Sequence, residues 1–206
     1  MNPMQDPKSL VREGYDRISR NYRGDTFDFE ASGYRQFLSE LEPLLKPSSR
    51  ILDLGCGCGV PIARHLARRH DVTGVDISEV QIARARSLVP NARFLRADMT
   101  EAAFPDGSFE AVVSFYAVIH VPVGEQPALF RRTAGWLASG GHLLVTVGHR
   151  AWTGMEEDWH GAAMYWSHAD AATYRAWLEE CGFSILSERF VPEGEGGHTL
   201  FLAQKT

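Results

Sequence analysis

The sequence predicts an open, doubly wound α/β sheet of the Rossmann-like kind, and three observations carry that prediction. Short β-rich runs alternate with helical patterns from residue 50 to the end of the chain, the signature of a mostly parallel sheet with helices on its faces. The first four β-rich runs are mostly apolar, as strands buried on both faces must be. The first of them leads straight into Gly55, Cys56, Gly57, Cys58 and Gly59, a glycine-dense turn that allows left-handed backbone ahead of a helix.

Strands are expected at 50–54, 72–75, 93–96, 111–115, 142–147, 184–190 and 199–203, with helices at 60–69, 79–88, 126–137 and 170–181. Ser78, with Gln81 three residues on, reads as a capping box that starts the second of these helices. Ser167 or Asp170 can start the last one, and Gly182 suits its left-handed C-terminal position. Gly140 and Gly141 are expected to do the same at the end of the helix over 126–137. Between the last two strands lies only Pro192-Glu-Gly-Glu-Gly-Gly197, so they form a hairpin and one of them runs antiparallel to its neighbours. Two stretches stand outside the alternation. Residues 8–46 read as two amphipathic helices and 148–168 as an aromatic-rich insertion. Both are expected on the rim where open α/β sheets bind ligands. At 206 residues and 44% hydrophobic content, the expectation is one domain over 1–206, with a helical lid and a substrate-side insertion.

Composition narrows the function. A net charge of −5 argues against nucleic acid as the main partner, since phosphate binding needs a Lys/Arg surplus on one face. The densest basic run, Arg64-His-Leu-Ala-Arg-Arg-His70, reads as the solvated face and C-terminal end of a helix. Three cysteines, two of them in the glycine turn, do not make a disulfide framework and point to a reducing, cytoplasmic setting. Cys56 and Cys58 alone are at most half a metal site. No apolar stretch approaches the roughly 20 residues that span a bilayer, and residues 1–8 are polar. No membrane partner is expected, and both monomer and homodimer stay open.

Three strand ends carry the binding signal. The acid Asp53 before the glycine turn would repel a pyrophosphate but suits an amino-acid ammonium or a sulfonium. The dinucleotide fingerprint needs a glycine where Val60 stands, and no Gly-Lys-Ser/Thr phosphate loop occurs. Asp76, at the second strand end, is either an N-cap, a role Ser78 already fills, or the acceptor of two ribose hydroxyls. At the third strand end Asp98 can accept from an adenine amine while Met99 packs on the ring.

Asp53-Leu-Gly-Cys-Gly-Cys-Gly59, Asp76-Ile-Ser78, Ala97-Asp-Met99 and Ala111-Val-Val-Ser-Phe-Tyr116 together resemble the motif series of class I S-adenosylmethionine (SAM)-dependent methyltransferases. The resemblance is to the small-molecule branch that includes the ubiquinone/menaquinone-biosynthesis type (methyltransferase 11/25-like). It implies a seven-strand sheet in the order 3-2-1-4-5-7-6 with the seventh strand antiparallel. It also implies SAM as cofactor, S-adenosylhomocysteine (SAH) as product and a small-molecule acceptor. By that resemblance Gly55, Cys56 and Gly57 meet the methionine moiety and Asp76 the ribose. Ile77, Gln81 and Met99 flank the adenine, and Asp98 meets its amine. Ser114, Phe115 and Tyr116 lie below the sulfonium. Tyr15-Asp-Arg-Ile-Ser-Arg-Asn-Tyr22 is similar to the Tyr-Asp-x-x-Ala-x-x-Tyr helix that closes over the cofactor, with Ser19 in place of the alanine. Gln81 stands where a methionine is common.

Methyl transfer from a sulfonium is an in-line displacement that needs chiefly orientation and exclusion of water. A base is required only when the nucleophile arrives protonated. His120 and His149, after the fourth and fifth strands, are the candidates, as bases or as hydrogen-bonding groups of the loop or cofactor. In the insertion, Trp152, Trp159, Tyr165 and Trp166 either line a substrate pocket for a flat or amine-bearing molecule or pack as a satellite core. Glu156 is the candidate polar contact there. His168 reads as part of a helix cap, and His198 can reach the same rim from the hairpin. No acid/His cluster has ligand spacing at the methyl site, so no metal is expected. Competing readings are a macromolecular methyltransferase, which the absence of an Asn/Asp-Pro-Pro-Tyr motif disfavours, and a SAM-binding protein without activity.

Overall fold

The apolar runs pair as their pattern demands. In the computed structural model, which describes residues 6–206, seven strands form one sheet in the order β3-β2-β1-β4-β5-β9-β8. The first five of these are β1 (Arg50–Leu54), β2 (Asp71–Asp76), β3 (Arg93–Arg96), β4 (Phe109–Ser114) and β5 (Leu137–Gly148). All are parallel. The closing hairpin is β8 (Phe183–Glu193) and β9 (Gly196–Lys205), and β9 runs antiparallel to both β5 and β8. The expected order thus holds. Its last two strands are eighth and ninth in the chain because the segment 148–168 supplies a hairpin of its own, β6 (Trp152–Trp159) and β7 (Ala162–His168), as a separate two-stranded sheet.

Alternate residues of the central strands face two helical layers. Leu52, Leu54 and Val112 pack with Phe130, Tyr174 and Leu178 from α5 (Gln126–Trp136) and α6 (Ala171–Glu180). Ile51, Ala111 and Val113 pack on the other side with Phe37, Ile62 and Ile82 from α2 (Gly33–Leu41), α3 (Ile62–Leu66) and α4 (Glu79–Leu88). This two-sided burial is why those strands read as continuous apolar runs. Among the described residues no helix is long and apolar enough to cross a membrane.

Four local expectations change. The helix expected over 60–69 is only Ile62–Leu66, because Val60 and Pro61 still belong to the turn and the backbone from Ala67 onward bends back toward β2. Helix α5 stops at Trp136, where Leu137 turns extended and enters β5 directly. Gly140 therefore takes its positive φ of 73° inside a strand rather than at a helix end. At Ser78 only half of the capping box forms. Its hydroxyl accepts from the Gln81 backbone N–H at 3.0 Å, but Gln81 Oε1 turns instead to the Ser19 hydroxyl at 2.7 Å. Asp170 caps α6 through the Thr173 N–H, while His168, expected near that cap, lies in β7 opposite Trp152.

Helix α1 (Pro7–Tyr22) crosses the C-terminal edge of the sheet and packs on β7 through Val11, Ile18, Ala162 and Met164. Lys8 pairs with Asp98 and Glu125 at one end, each at 2.8 Å. At the other end the buried Arg84 of α4 donates to the carbonyls of Ser19 and Arg23, capping the last carbonyls of α1.

Candidate active site

The turn after β1 is built for close approach. Gly55 has φ 75°, and its N–H and that of Cys56 both donate to the Val75 carbonyl, at 2.8 and 3.0 Å. A Cβ at Gly55 would stand 2.1 Å from that of Ala117, so no other residue fits. At Gly57 (φ 53°) an added Cβ meets nothing closer than Gln81 Nε2 at 3.8 Å, so this backbone forms an open floor.

Asp76 closes that floor. One carboxylate oxygen accepts the Gly57 N–H at 2.8 Å and the other the Ser78 N–H at 2.9 Å. Burial raises its pKa to about 6 against the lowering effect of those two N–H groups. Asp53 is the more extreme case. It is buried, its Oδ2 has no hydrogen-bond partner among the described residues, and burial together with the Asp76 charge raises its pKa to about 8. This unpartnered oxygen belongs to a residue that lines a small pocket beside Gly57. Across that pocket stands Arg23, its guanidinium 4.4 Å from the Phe27 ring centre and one N–H donated to the Tyr34 hydroxyl at 3.1 Å.

The cleft continues from Gly55 and Gly57 over Asp76, Ile77 and Gln81 to Asp98 and Met99. Tyr15, Tyr22, Phe115, Tyr116 and His120 complete its other wall. Ser114 is absent from both walls; its hydroxyl donates to the Leu54 carbonyl at 2.8 Å, which ties β4 to β1. Asp98 has a second commitment that the sequence did not show. Its Oδ1 accepts from the Thr100 backbone and hydroxyl, and its Oδ2 pairs with Lys8.

At Tyr116 and His120 the cleft opens into a cavity of about 560 Å³. Trp152, Glu156, Trp159 and Trp166 form one side of it, and Phe27, Tyr34, Phe37, Glu193 and His198 the other. Tyr165 is not in this wall. Its ring packs with the small core between α1 and β7, while its carbonyl accepts from His120. His149 is also outside, bonded to the Thr199 hydroxyl at 3.0 Å with its ring against Phe190. The alternation of β9 decides this, because Thr199 and His198 point to opposite faces. Lys8, Arg23, Tyr34 and Glu193 escaped the sequence reading because each lies outside the glycine and acid motifs and reaches the site only through folding.

His120 is held in one protonation state. Its Nδ1 lies 2.7 Å from the Tyr165 carbonyl, which can only accept, so the ring proton sits there. Nε2 then accepts from the Tyr15 hydroxyl at 3.0 Å. Burial lowers the His120 pKa to about 4, so the ring is neutral at pH 7.

With this geometry in place, comparison with known proteins gives one answer. Residues 51–141, from β1 into β5, match the family model for a methyltransferase domain. Over those residues the chain is similar to a methyltransferase domain. Over 118 residues it is 35% identical to phosphoethanolamine N-methyltransferase 3 of Arabidopsis thaliana, covering 54% of this chain and 23% of that protein. It is 39% identical over 113 residues to 27-O-demethylrifamycin SV methyltransferase of Amycolatopsis mediterranei, covering 49% of this chain and 41% of that one. The chain thus spans well under half the length of these two relatives. Magnesium protoporphyrin IX methyltransferase from Synechocystis PCC 6803, solved with SAM bound, shares the fold end to end. Its TM-score is 0.75 at 19% identity, with both chains covered completely. A [4+2]-cyclase also has this fold, with a TM-score of 0.73 at 20% identity over 98% of this chain and 97% of that one. The fold of a methyltransferase domain does not by itself settle the reaction.

Asp53 allows a separate test. Its carboxyl stays neutral in the ligand-free fold up to about pH 8, whereas in the unfolded chain it ionises above about pH 4. Its contribution to stability is therefore full below about pH 4 and is lost as pH rises toward 8. Asp53→Asn is expected to raise the melting temperature of the ligand-free protein by roughly 2–6 °C at pH 8 and by less at pH 5. Calorimetric scans at the two pH values check this, and equal shifts at both would contradict it.

Proposed function

We propose that this chain transfers a methyl group from SAM to an O, N or C atom of a small aromatic or amine-bearing molecule. One observation carries the reading. The cleft floored by Gly57 and Asp76 opens, at Tyr116 and His120, directly into an aromatic cavity large enough for a multi-ring acceptor.

The residues fit SAM group by group. Asp53, with its unpartnered oxygen, suits the ammonium, and Arg23 the carboxylate across the same pocket. Asp76, oriented by two backbone N–H groups, accepts from the ribose hydroxyls, and Ile77 and Met99 flank the adenine. Lys8 shares Asp98 with the adenine amine. When bound, SAM supplies an electrophilic methyl on a sulfonium. The protein holds the acceptor at about 3–3.5 Å from that carbon and keeps water out. Tyr15 and His120, bonded to each other and to the Tyr165 carbonyl, border both the cofactor cleft and the acceptor cavity. The rings of Trp159 and Trp166 line the far side, where an aromatic or cationic acceptor gains stacking and cation–π energy. The related proteins named above act on phosphoethanolamine and on a rifamycin precursor, both small molecules. Three free cysteines, two of them buried, fit a reducing cytoplasmic setting.

A calorimetric titration with SAM and SAH, run against NAD, tests the reading. Micromolar binding of SAM or SAH without NAD binding is expected, followed by transfer of a deuterated methyl to a small aromatic or amine acceptor. Binding without any transfer would instead favour a SAM-binding protein with no methylating activity.

A further inference from the structure

The Tyr15–His120 pair is a poor proton acceptor, since the one free lone pair of His120 is already taken by the tyrosine proton. The cavity holds a second imidazole in a different condition. His198 reaches into it from β9, and its Nδ1 lies 3.0 Å from Oε2 of Glu193 on β8. The carboxylate is not in line with the ring N–H, and the exposed Glu193 side chain has the freedom to close that angle. Among the described residues no hydrogen bond occupies Nε2, the nitrogen left for a substrate. The ring stands edge-on to Tyr116 at 5.0 Å between centres and 89° between planes. Tyr116 borders both the cofactor cleft and the cavity, as do Tyr15, Tyr22 and His120, and it holds a left-handed φ of 55° at a cost in backbone energy.

We infer that His198, backed by Glu193, is the proton acceptor for the methyl acceptor's nucleophile, and that this nucleophile is a phenolic or enolic hydroxyl. The inference rests on the methyltransferase reading above. A neutral amine or a carbanion-like carbon needs no such base, whereas a hydroxyl attacking a sulfonium does. In the step, a lone pair of the hydroxyl oxygen forms the O–C bond as the C–S bond breaks, and that bond's electron pair leaves on sulfur as a neutral thioether. The hydroxyl proton moves to Nε2 of His198, and the imidazolium is held by the Glu193 carboxylate. The other charged or titratable groups around His198 are Tyr116 at the end of β4, His168 on β7, and Arg23, Glu156 and His160 in the cavity wall.

4-Nitrophenol, whose anion absorbs in the visible, tests this on SAH-loaded protein near pH 6. With wild type the bound phenol should be substantially ionised. His198→Gln should lower the bound anion-to-phenol ratio about tenfold, one pKa unit, with Glu193→Gln in between. Nitrogen-15 NMR should show the proton gained on the His198 ring and not on His120. Thermal melts confirm that both variants fold. An unchanged ratio in His198→Gln, a proton on His120, or no nitrophenol bound overturns the inference. SAH affinity is measured on the same samples; its absence in wild type would take down the cofactor reading and this inference with it, while normal SAH affinity confines any failure to His198.

Discussion

Asp76→Ala is expected to weaken SAM and SAH binding by a factor of about 100 to 10,000. In the proposed reading the carboxylate accepts two ribose hydroxyls, and its two oxygens are fixed by the N–H groups of Gly57 and Ser78. Hydrogen bonds to a charged acceptor are each worth about 1.5–3 kcal/mol. Losing two of them removes about 3–6 kcal/mol, which is roughly 10²–10⁴ in Kd. The Gly57 and Ser78 N–H groups also lose their acceptor, so the glycine floor loosens in the same variant. Asp76→Asn keeps the shape and one acceptor and should lose roughly half of that free energy. The pH dependence has a defined sign. Asp76 ionises at about pH 6 in the ligand-free protein, so affinity should fall as pH drops through 6 and hold above it. Calorimetry at pH 5 and pH 7.5 reads both effects. Wild-type affinity in Asp76→Ala would remove Asp76 from the cofactor site.

Gly55→Ala should cost both stability and the cofactor. The position has φ 75°, which an L-residue with a Cβ adopts at a cost of about 1–2 kcal/mol. The new methyl would lie 2.1 Å from the Ala117 Cβ and 3.3 Å from the end of Met99. The first is a contact between two short, stiff groups, so backbone has to move, adding about 1–3 kcal/mol. A total near 3 kcal/mol corresponds to a fall in melting temperature of roughly 6–12 °C for a domain of this size. Ala117 precedes the short turn that carries His120, so its displacement would also shift the Tyr15–His120 pair. Gly57→Ala makes the contrast: it carries a similar left-handed backbone cost at φ 53°, but its methyl meets nothing closer than Gln81 Nε2 at 3.8 Å, so its stability loss should be the smaller of the two. If Gly55→Ala melted like wild type, the tight packing of the turn against Ala117 would be wrong.

The parts of this protein that were legible in its sequence are those set by local rules. Continuous apolar strands, the glycine turn and the acids at three strand ends depend on residues adjacent in the chain, so the residues that line this cleft could be named before the fold was known. The cap at Asp170 and the closing hairpin belong to the same class. Where the sequence reading went astray, a distant partner had intervened. Gln81 left its capping box for Ser19, 62 residues away, and Ser114 turned to Leu54 instead of the cleft. The 148–168 segment became a hairpin because α1 covers one face of it, a contact absent from local pattern.

The substrate side was decided by tertiary structure alone. Whether His149 or His198 enters the cavity follows from which face of β9 each meets, and that depends on the antiparallel register of β9 against β5, where Gly148 pairs with His198 and Val147 with Thr199. A shift of one residue would exchange them. The walls formed by Arg23, Tyr34, Trp159 and Glu193 are likewise drawn from four separate stretches of chain. The sequence by itself determined the sheet and the strand ends that line the cleft, because apolar runs and turn geometry act between neighbours. Which rings, acids and imidazoles face the acceptor was left to packing, because convergence of remote side chains follows from register and helix docking, neither of which leaves a local mark.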